Sequence, residues 1–265
     1  MLISAGLAQS AKPKPRFAAT CDADPKRHVP YSAEFKLTNI YPGPDGTLVT
    51  YNHSEVRAFD SRGRFLGATT SPDPKGVGPP SVTASVCDPT RNEEMEWESL
   101  KRRVVVLKLP TLQERNGCWE SEKGDHIINF DLARRSIAEA QLRVQEIDKL
   151  ATDPERPNLL VEDLGTTYIQ GLEVHGVRTT WPPADSSPGN TEPPYQMEEH
   201  WESPLLGTWV KQEVDYPSNI HHNLKWTRTL TNVNLRDPEP SIFEPPSDYT
   251  VITETMHRVE CDSRR

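Results

Sequence analysis

Nowhere in this 265-residue chain is there an apolar run of about 18 residues, the length a helix needs to cross a bilayer, so no membrane-spanning helix is expected. Nor is there a run of five Lys or Arg. The densest basic spots are Lys101-Arg102-Arg103 and Arg264-Arg265, and 39 acidic against 30 basic residues leave a formal charge of −9. Nucleic acid is therefore not an expected partner, because it demands a continuous basic footprint to displace counterions. The motifs of common chemistries are missing too: no G-x-S-x-G elbow, no P-loop, no H-E-x-x-H. Glu34 and Asp45 have no paired carboxylate of the kind a glycosidase uses. Only four cysteines occur, Cys21, Cys87, Cys118 and Cys261, and none forms a C-x-x-C pair, which argues against zinc and thioredoxin-type sites. No catalytic residue, metal ligand or cofactor is assigned, and the chain is expected not to be an enzyme.

Apolar residues are also scarce. The 34 % hydrophobic residues plus 14 Gly come to about 39 %, against roughly 45–50 % for an ordinary globular chain. Proline is abundant instead, with 25 residues, about 9 % against the usual ~5 %. A modest core, many turns and several extended links follow. Four cysteines allow three connectivities, among which spacing does not choose. At the N-terminus, the short apolar run over 2–8 places Gly6 and Ala8 at the −3 and −1 positions of a signal cleavage site. Residues 1–29 therefore read as a signal-peptide remnant and a disordered segment, and the compartment as periplasmic or extracellular.

From Tyr31 onward the pattern is of strands. Residues 34–40, 47–51, 55–59 and 65–70 favour β-structure, with the turn clusters Pro42-Gly43-Pro44-Asp45-Gly46 and Ser61-Arg62-Gly63-Arg64 between them. Residues 81–86 form a short strand, and 95–100 with 103–109 form a hairpin. In the second half, 166–169 and 172–181 flank Gln170-Gly171, a two-residue loop with Gly second, which suits a tight hairpin. Strands follow at 195–201, 208–216, 224–233 and 251–259. The closing signature Glu239-Pro240-Ser241-Ile242-Phe243-Glu244-Pro245-Pro246-Ser247-Asp248-Tyr249 sets Phe243 and Tyr249 to plug the end of the sheet.

One helix is expected, over 136–151, from the capping box Ser136 to Glu139 and the apolar stripe Ile137, Ala140, Val144, Ile147 and Ala151. About ten strands and this helix, without a βαβ rhythm, give a mainly β (α+β) class: a curved antiparallel sheet or half-barrel with one packed helix. Residues 30–265 read as a single antiparallel β domain, with the helix inserted near 136–151.

Candidate site residues are few. His221-His222 are adjacent, and strand alternation would point them to opposite faces, whereas a turn would let them converge. Alternation puts Glu198, His200 and Glu202 on one face, which is either a solvated strand face or a cation site. Six tryptophans stand mostly on expected strands. Four of them, Trp181, Trp201, Trp209 and Trp226, are the candidate ligand-binding residues of an apolar groove; filling a thin core is the alternative.

The stretches "PYSAEFKLTNIYPGPDGTLVTYNHSEVRAFDSRGRF", "EDLGTTYIQGLEVHGVRTT", "HWESPLLGTWVKQEVDYPSN" and "TRTLTNVNLRDPEPSIFEPPSDYTV" resemble a set of secreted proteins of soil acidobacteria to which no activity is assigned. The strand pattern is, more loosely, similar to lipoprotein-carrier proteins of the LolA/LolB kind and to envelope stress sensors of the RseB kind. That resemblance implies a half-open antiparallel barrel holding acyl chains on an apolar face. It carries over no site residues.

Three readings follow. The first is a non-enzymatic β module that binds lipid, lipoprotein or envelope components in a curved sheet. The second is a structural or protein-interaction module meeting an envelope protein through a sheet edge or the helix. The third is a cryptic metal-dependent hydrolase, which would need a cleft with convergent His and acidic groups.

Overall fold

A computed structural model of the protein describes residues 29–43, 45–73, 76–131, 159–181, 196–217 and 224–261. The helix expected over 136–151 and the pair His221-His222 lie outside the described residues, as does the N-terminal segment up to residue 28.

The described chain is one fourteen-stranded sheet, in the order β8-β7-β14-β6-β5-β4-β3-β2-β1-β13-β12-β11-β10-β9. Twist accumulating over this many strands obliges the sheet to curl. In chain order the strands are β1 Tyr31–Pro42, β2 Leu48–Phe59, β3 Phe65–Ser71, β4 Ser81–Asp88, β5 Glu93–Glu98, β6 Arg103–Lys108 and β7 Cys118–Ser121. The rest are β8 Ile127–Asn129, β9 Leu160–Ile169, β10 Leu172–Trp181, β11 Gln196–Ser203, β12 Thr208–Tyr216, β13 Leu224–Asn234 and β14 Thr250–Val259. The sequence pattern under-counted them. β7 and β8 are only four and three residues long, too short to show an alternation. The two segments expected at 47–51 and 55–59 are one continuous strand, β2, held along its length by β1.

The sequence of β9 and β10 accounts for their hairpin. Gln170 (φ 50°) and Gly171 (φ 77°) both adopt the left-handed region, as a two-residue turn with the twist of its flanking strands requires, and Leu172 pairs with Ile169.

The sheet is not wholly antiparallel. β14 pairs parallel with β6, Thr250 opposite Arg103 through Thr255 opposite Lys108, and antiparallel with β7. β13 lies beside β1, so β1 to β6 stand between β13 and β14. The link 235–249 must therefore cross seven inter-strand spacings, roughly 34 Å on a flat sheet, and fifteen extended residues reach up to roughly 50 Å. Its prolines keep it extended apart from a short 3-10 turn, Pro240–Phe243.

The link also closes a core. Ile242, Phe243 and Tyr249 pack on Ala58, Leu66, Ala84, Val86, Met95, Val104 and Val106, so they cover a face of β2 to β6 rather than plugging the sheet's end. Asp237 accepts hydrogen bonds from the Ser61 hydroxyl (2.6 Å) and amide, Arg102 pairs with Asp248, and the Arg64 guanidinium lies 4.4 Å over the Phe243 ring.

Two further clusters complete the core. One gathers Cys87, Val105, Leu107, Leu109, Ile128, Phe130 and Met256 beside β7 and β8. The other gathers Tyr31, Ala33, Phe35, Phe59, Leu172, Val174, Leu206, Val210 and Leu230 from β1, β2, β10, β12, β13 and the β11–β12 turn. The disulfide Cys118–Cys261 fastens the end of β14 to β7; Cys87 is disulfide-bonded as well.

Candidate functional site: one side of the sheet

Alternation along β1 puts Phe35, Leu37, Asn39 and Tyr41 on one side, and register carries that side across the neighbouring strands. Leu37 faces Arg228 on β13 and Asn39 faces Trp226; on β2, Phe35 faces Glu55, Asn39 faces Tyr51 and Ala33 faces Arg57. Three arrangements occupy this side.

The first is a buried ion cluster. The Arg228 guanidinium lies 3.5 Å from the Phe35 ring centroid and donates from Nε to Glu55 Oε2 (2.6 Å) and from Nη1 to the Trp209 carbonyl (2.6 Å). Arg57 donates to the other Glu55 oxygen. Burial alone would raise the Glu55 carboxyl, but the Arg57 charge and the hydrogen bond and charge of Arg228 outweigh it, so its pKa falls below the ordinary 4.5. Burial lowers the Arg228 pKa, and the nearby Arg57 charge adds to this. The cluster thus ties β13 to β2 across β1; a buried pair of this kind adds little net stability over an apolar substitute, although removing one partner is costly.

The second is an aromatic row toward the other end of the same strands. The Tyr41 and Tyr51 rings stack with centroids 4.8 Å apart and planes 8° from parallel. Trp226 stands beside Asn39; Val214 pairs with Trp226, Tyr216 with Leu224, Glu198 with Val214 and Trp181 with Gln196. No bulge interrupts this stretch, so Tyr41, Tyr51, Trp226, Tyr216 and Trp181 share one side across β1, β2, β13, β12 and β10. Trp209 joins them, its ring meeting His200 edge-on at 4.4 Å. None of these six rings is fully buried.

Three of the four tryptophans named from the sequence are thus brought to one side: Trp181, Trp209 and Trp226. Trp201 is not. It alternates away from His200, covers Gly176 and packs against the cluster of Leu172, Val174 and Val210. Its indole donates to Glu199 (2.7 Å), which also accepts from Lys211 (2.9 Å) and Arg178 (3.0 Å). Burial works to raise the Glu199 carboxyl, but these three hydrogen bonds dominate and hold its pKa at about 2. The tyrosines were not among the sequence candidates; Tyr41 and Tyr51 could have been found by pairing them across the turn at Pro42-Gly43-Pro44-Asp45-Gly46.

Of the acidic trio, Glu198 and His200 do share the aromatic side, with His200 Nε2 3.1 Å from Glu198 Oε2. Glu202 follows in alternation, its carboxyl raised by burial, which His175 partly offsets. Among the described residues, no three His, Cys, Asp or Glu side chains converge as metal ligands.

The third arrangement is a cavity of about 460 Å³ over β3 to β6. Gly67 and Thr69 of β3 and Thr83 and Ser85 of β4 border it, and the register of Gly67 with Arg57 and Thr69 with Glu55 puts these positions on the Phe35 side. Glu96, Trp97 and Glu98 of β5, Arg103 and Val105 of β6, Ala84 of β4, Lys101 from the turn between β5 and β6, and His126 complete the wall. Lys101 Nζ lies 2.7 Å from Glu98 Oε2, and His126 Nε2 lies 3.7 Å from Glu96 Oε2. Nothing in the sequence pattern marked this site, because its residues come from four strands and two turns.

No protein-family model matches the chain, and no curated protein matches it in sequence. Solved structures similar to it include the MucA/MucB complex of Pseudomonas aeruginosa (9 % identity, TM-score 0.38, 86 % of this chain and 60 % of that one). Others are a β-barrel-like protein of a domain family of unknown function from Brucella abortus (11 % identity, TM-score 0.39, 80 % and 99 %) and a LolA-superfamily protein from Nitrosomonas europaea (11 % identity, TM-score 0.28, 85 % and 96 %). The similar structures also include an outer membrane lipoprotein-sorting protein domain from Vibrio parahaemolyticus (11 % identity, TM-score 0.28, 82 % and 92 %). The chain spans about three-fifths of the length of the MucB chains it matches. Among the described residues no helix is long and apolar enough to cross a membrane.

Proposed function

We propose that this chain is a non-enzymatic binding module of an oxidising compartment, periplasmic or extracellular, and that it holds a lipid or another envelope component against the aromatic row. The observation that supports the reading is the row itself: Tyr41, Tyr51, Trp226, Tyr216, Trp181 and Trp209 turn to one side of one sheet and stop short of full burial. Large rings left half-covered offer apolar contact area at little conformational cost. The Cys118–Cys261 disulfide fits the compartment.

The test is native mass spectrometry of protein purified from a periplasmic expression host, with lipid extraction of the same sample. A co-purifying acyl lipid, lost on Trp226→Glu and on the more exposed Tyr41→Ala while the circular dichroism spectrum is unchanged, supports the reading. A clean apo mass in several hosts overturns it.

A second reading, a protein-interaction module, is favoured by one observation. β9 is an edge strand of the sheet, and its Leu160 and Tyr168 are 66 % and 70 % exposed. Strand addition by a partner would protect the β9 amides from hydrogen exchange; unchanged exchange in the presence of envelope extract argues against it.

A further inference from the structure

The cavity over β3 to β6 has a chemistry of its own. Its room comes from four small residues at successive positions on one side, Gly67 and Thr69 on β3 and Thr83 and Ser85 on β4, where the next positions along the same strands are Phe65 and Cys87. A volume of about 460 Å³ suits a small organic molecule. Charged and hydroxyl groups outnumber the apolar contributions of Ala84, Trp97 and Val105, so burying an acyl chain there would strip water from several charges.

The charges balance. Glu96 and Glu98 supply two negative groups, and Lys101 and Arg103 two positive ones. Lys101 is engaged by Glu98. Among the described residues Arg103 has no ion-pair partner, and it stands exposed beside the cavity. An unpaired guanidinium presents a planar fork that fits a carboxylate or phosphate.

We propose that this cavity binds a small zwitterion, a molecule with an anionic group for Arg103 and a cationic group for the Glu96–Glu98 side, of amino-acid or phosphoethanolamine type. Arg103 stands opposite Glu98 in register and Glu96 is the next position on the same face, so groups of both signs lie within one site, and a zwitterion meets each where a ligand of one sign meets only one attraction. The Thr69 and Thr83 hydroxyls supply orienting hydrogen bonds. The proposal does not rest on the aromatic row, and either can fail alone.

Isothermal titration calorimetry on the full chain tests it, with glycine, β-alanine and O-phosphoethanolamine as probes and acetate, methyl phosphate and ethylammonium as single-charge controls. At least one zwitterion binds about tenfold or more tighter than every control, and Arg103→Gln weakens it by about tenfold. Gly67→Leu, which puts a side chain into the cavity, abolishes binding. Because Arg103 is exposed, its variant keeps the test valid even if Gly67→Leu fails to fold. Absence of heat with all three zwitterions, or a control that binds as tightly, overturns the proposal.

Co-sedimentation with phosphatidylethanolamine vesicles separates the two sources of this chemistry. Retention that O-phosphoethanolamine competes away makes the ligand a lipid headgroup. Binding of the soluble zwitterion without vesicle retention makes it a free metabolite. Either result supports the zwitterion site.

Discussion

The Trp201 indole lies so close over Gly176 that a Cβ built on residue 176 would sit 2.6 Å from the ring. The two residues face each other across β10 and β11, and the missing side chain of one is the space the other occupies. Glycine is required here by contact and not by backbone angle. Gly176→Ala forces the indole off its bed and strains its hydrogen bond to Glu199. Overpacking of this kind costs about 1–3 kcal/mol. Urea unfolding of Gly176→Ala, alone and with Trp201→Leu, measures it. The double variant recovers part of the loss if the clash is the cause; equal loss in both would refute that account.

Arg228 and Glu55 stand 173 residues apart in sequence and join β13 to β2 through β1. Arg228→Met leaves Glu55 buried with Arg57 as its remaining partner, and breaking such a pair costs about 3–5 kcal/mol. Arg228→Met combined with Glu55→Gln should cost clearly less than the sum of the single changes, since no buried charge is then left unpaired and Arg57, a third exposed, can turn to water. A double-mutant cycle by chemical denaturation checks this, and additive losses would sink it.

Glu199 sets a pH dependence whose sign is fixed. Its folded pKa of about 2 lies below the ordinary 4.5, so its contribution is fully present above pH 4.5 and is lost as the pH falls toward 2. The loss is on the order of 1–2 kcal/mol, because the carboxylate is only partly buried and solvent screens part of its interactions. Melting temperatures of the wild type and Glu199→Gln should therefore converge between about pH 4.5 and pH 2. A constant gap over that window would show that the carboxylate is not the source.

The Cys118–Cys261 disulfide closes a separation of 143 residues. In the chain-entropy picture a loop of this length stabilises by up to about 5 kcal/mol, and by less where the disulfide of Cys87 already restricts the unfolded chain. Cys118→Ser with Cys261→Ser should lower the melting temperature and free the β7–β8 hairpin to exchange its amides faster, with β12 and β13 little changed. Exchange that rises evenly over the whole sheet would contradict this local role.

Much of the strand layout was legible because it is local. Alternating patterns marked β12 and β13 to the residue or nearly so, and Gln170-Gly171 announced its hairpin because two adjacent left-handed residues admit few turns. β2 was split in two by Asn52-His53-Ser54, which carry little β signal but are pinned by β1 on one side. β7 and β8 escaped notice through brevity. The site was legible only in part. Three tryptophans share a side as an alternating pattern allows, but Trp201 stands one position out of phase with His200 and faces away.

By itself, then, the sequence determined the mainly β class, most strand boundaries, the Pro-rich extended link and the identity of the large rings. These depend on neighbours two to four residues away, and periodicity records such neighbours directly. Only the tertiary structure decided that β14 crosses the sheet to lie parallel to β6, that Cys118 finds Cys261, that Arg228 is buried on Glu55 and that small residues on β3 and β4 leave a charged cavity. Each of these joins residues far apart in the chain. Which distant strand lies alongside is settled by the packing of the whole sheet and the reach of its links, and no local pattern contains it.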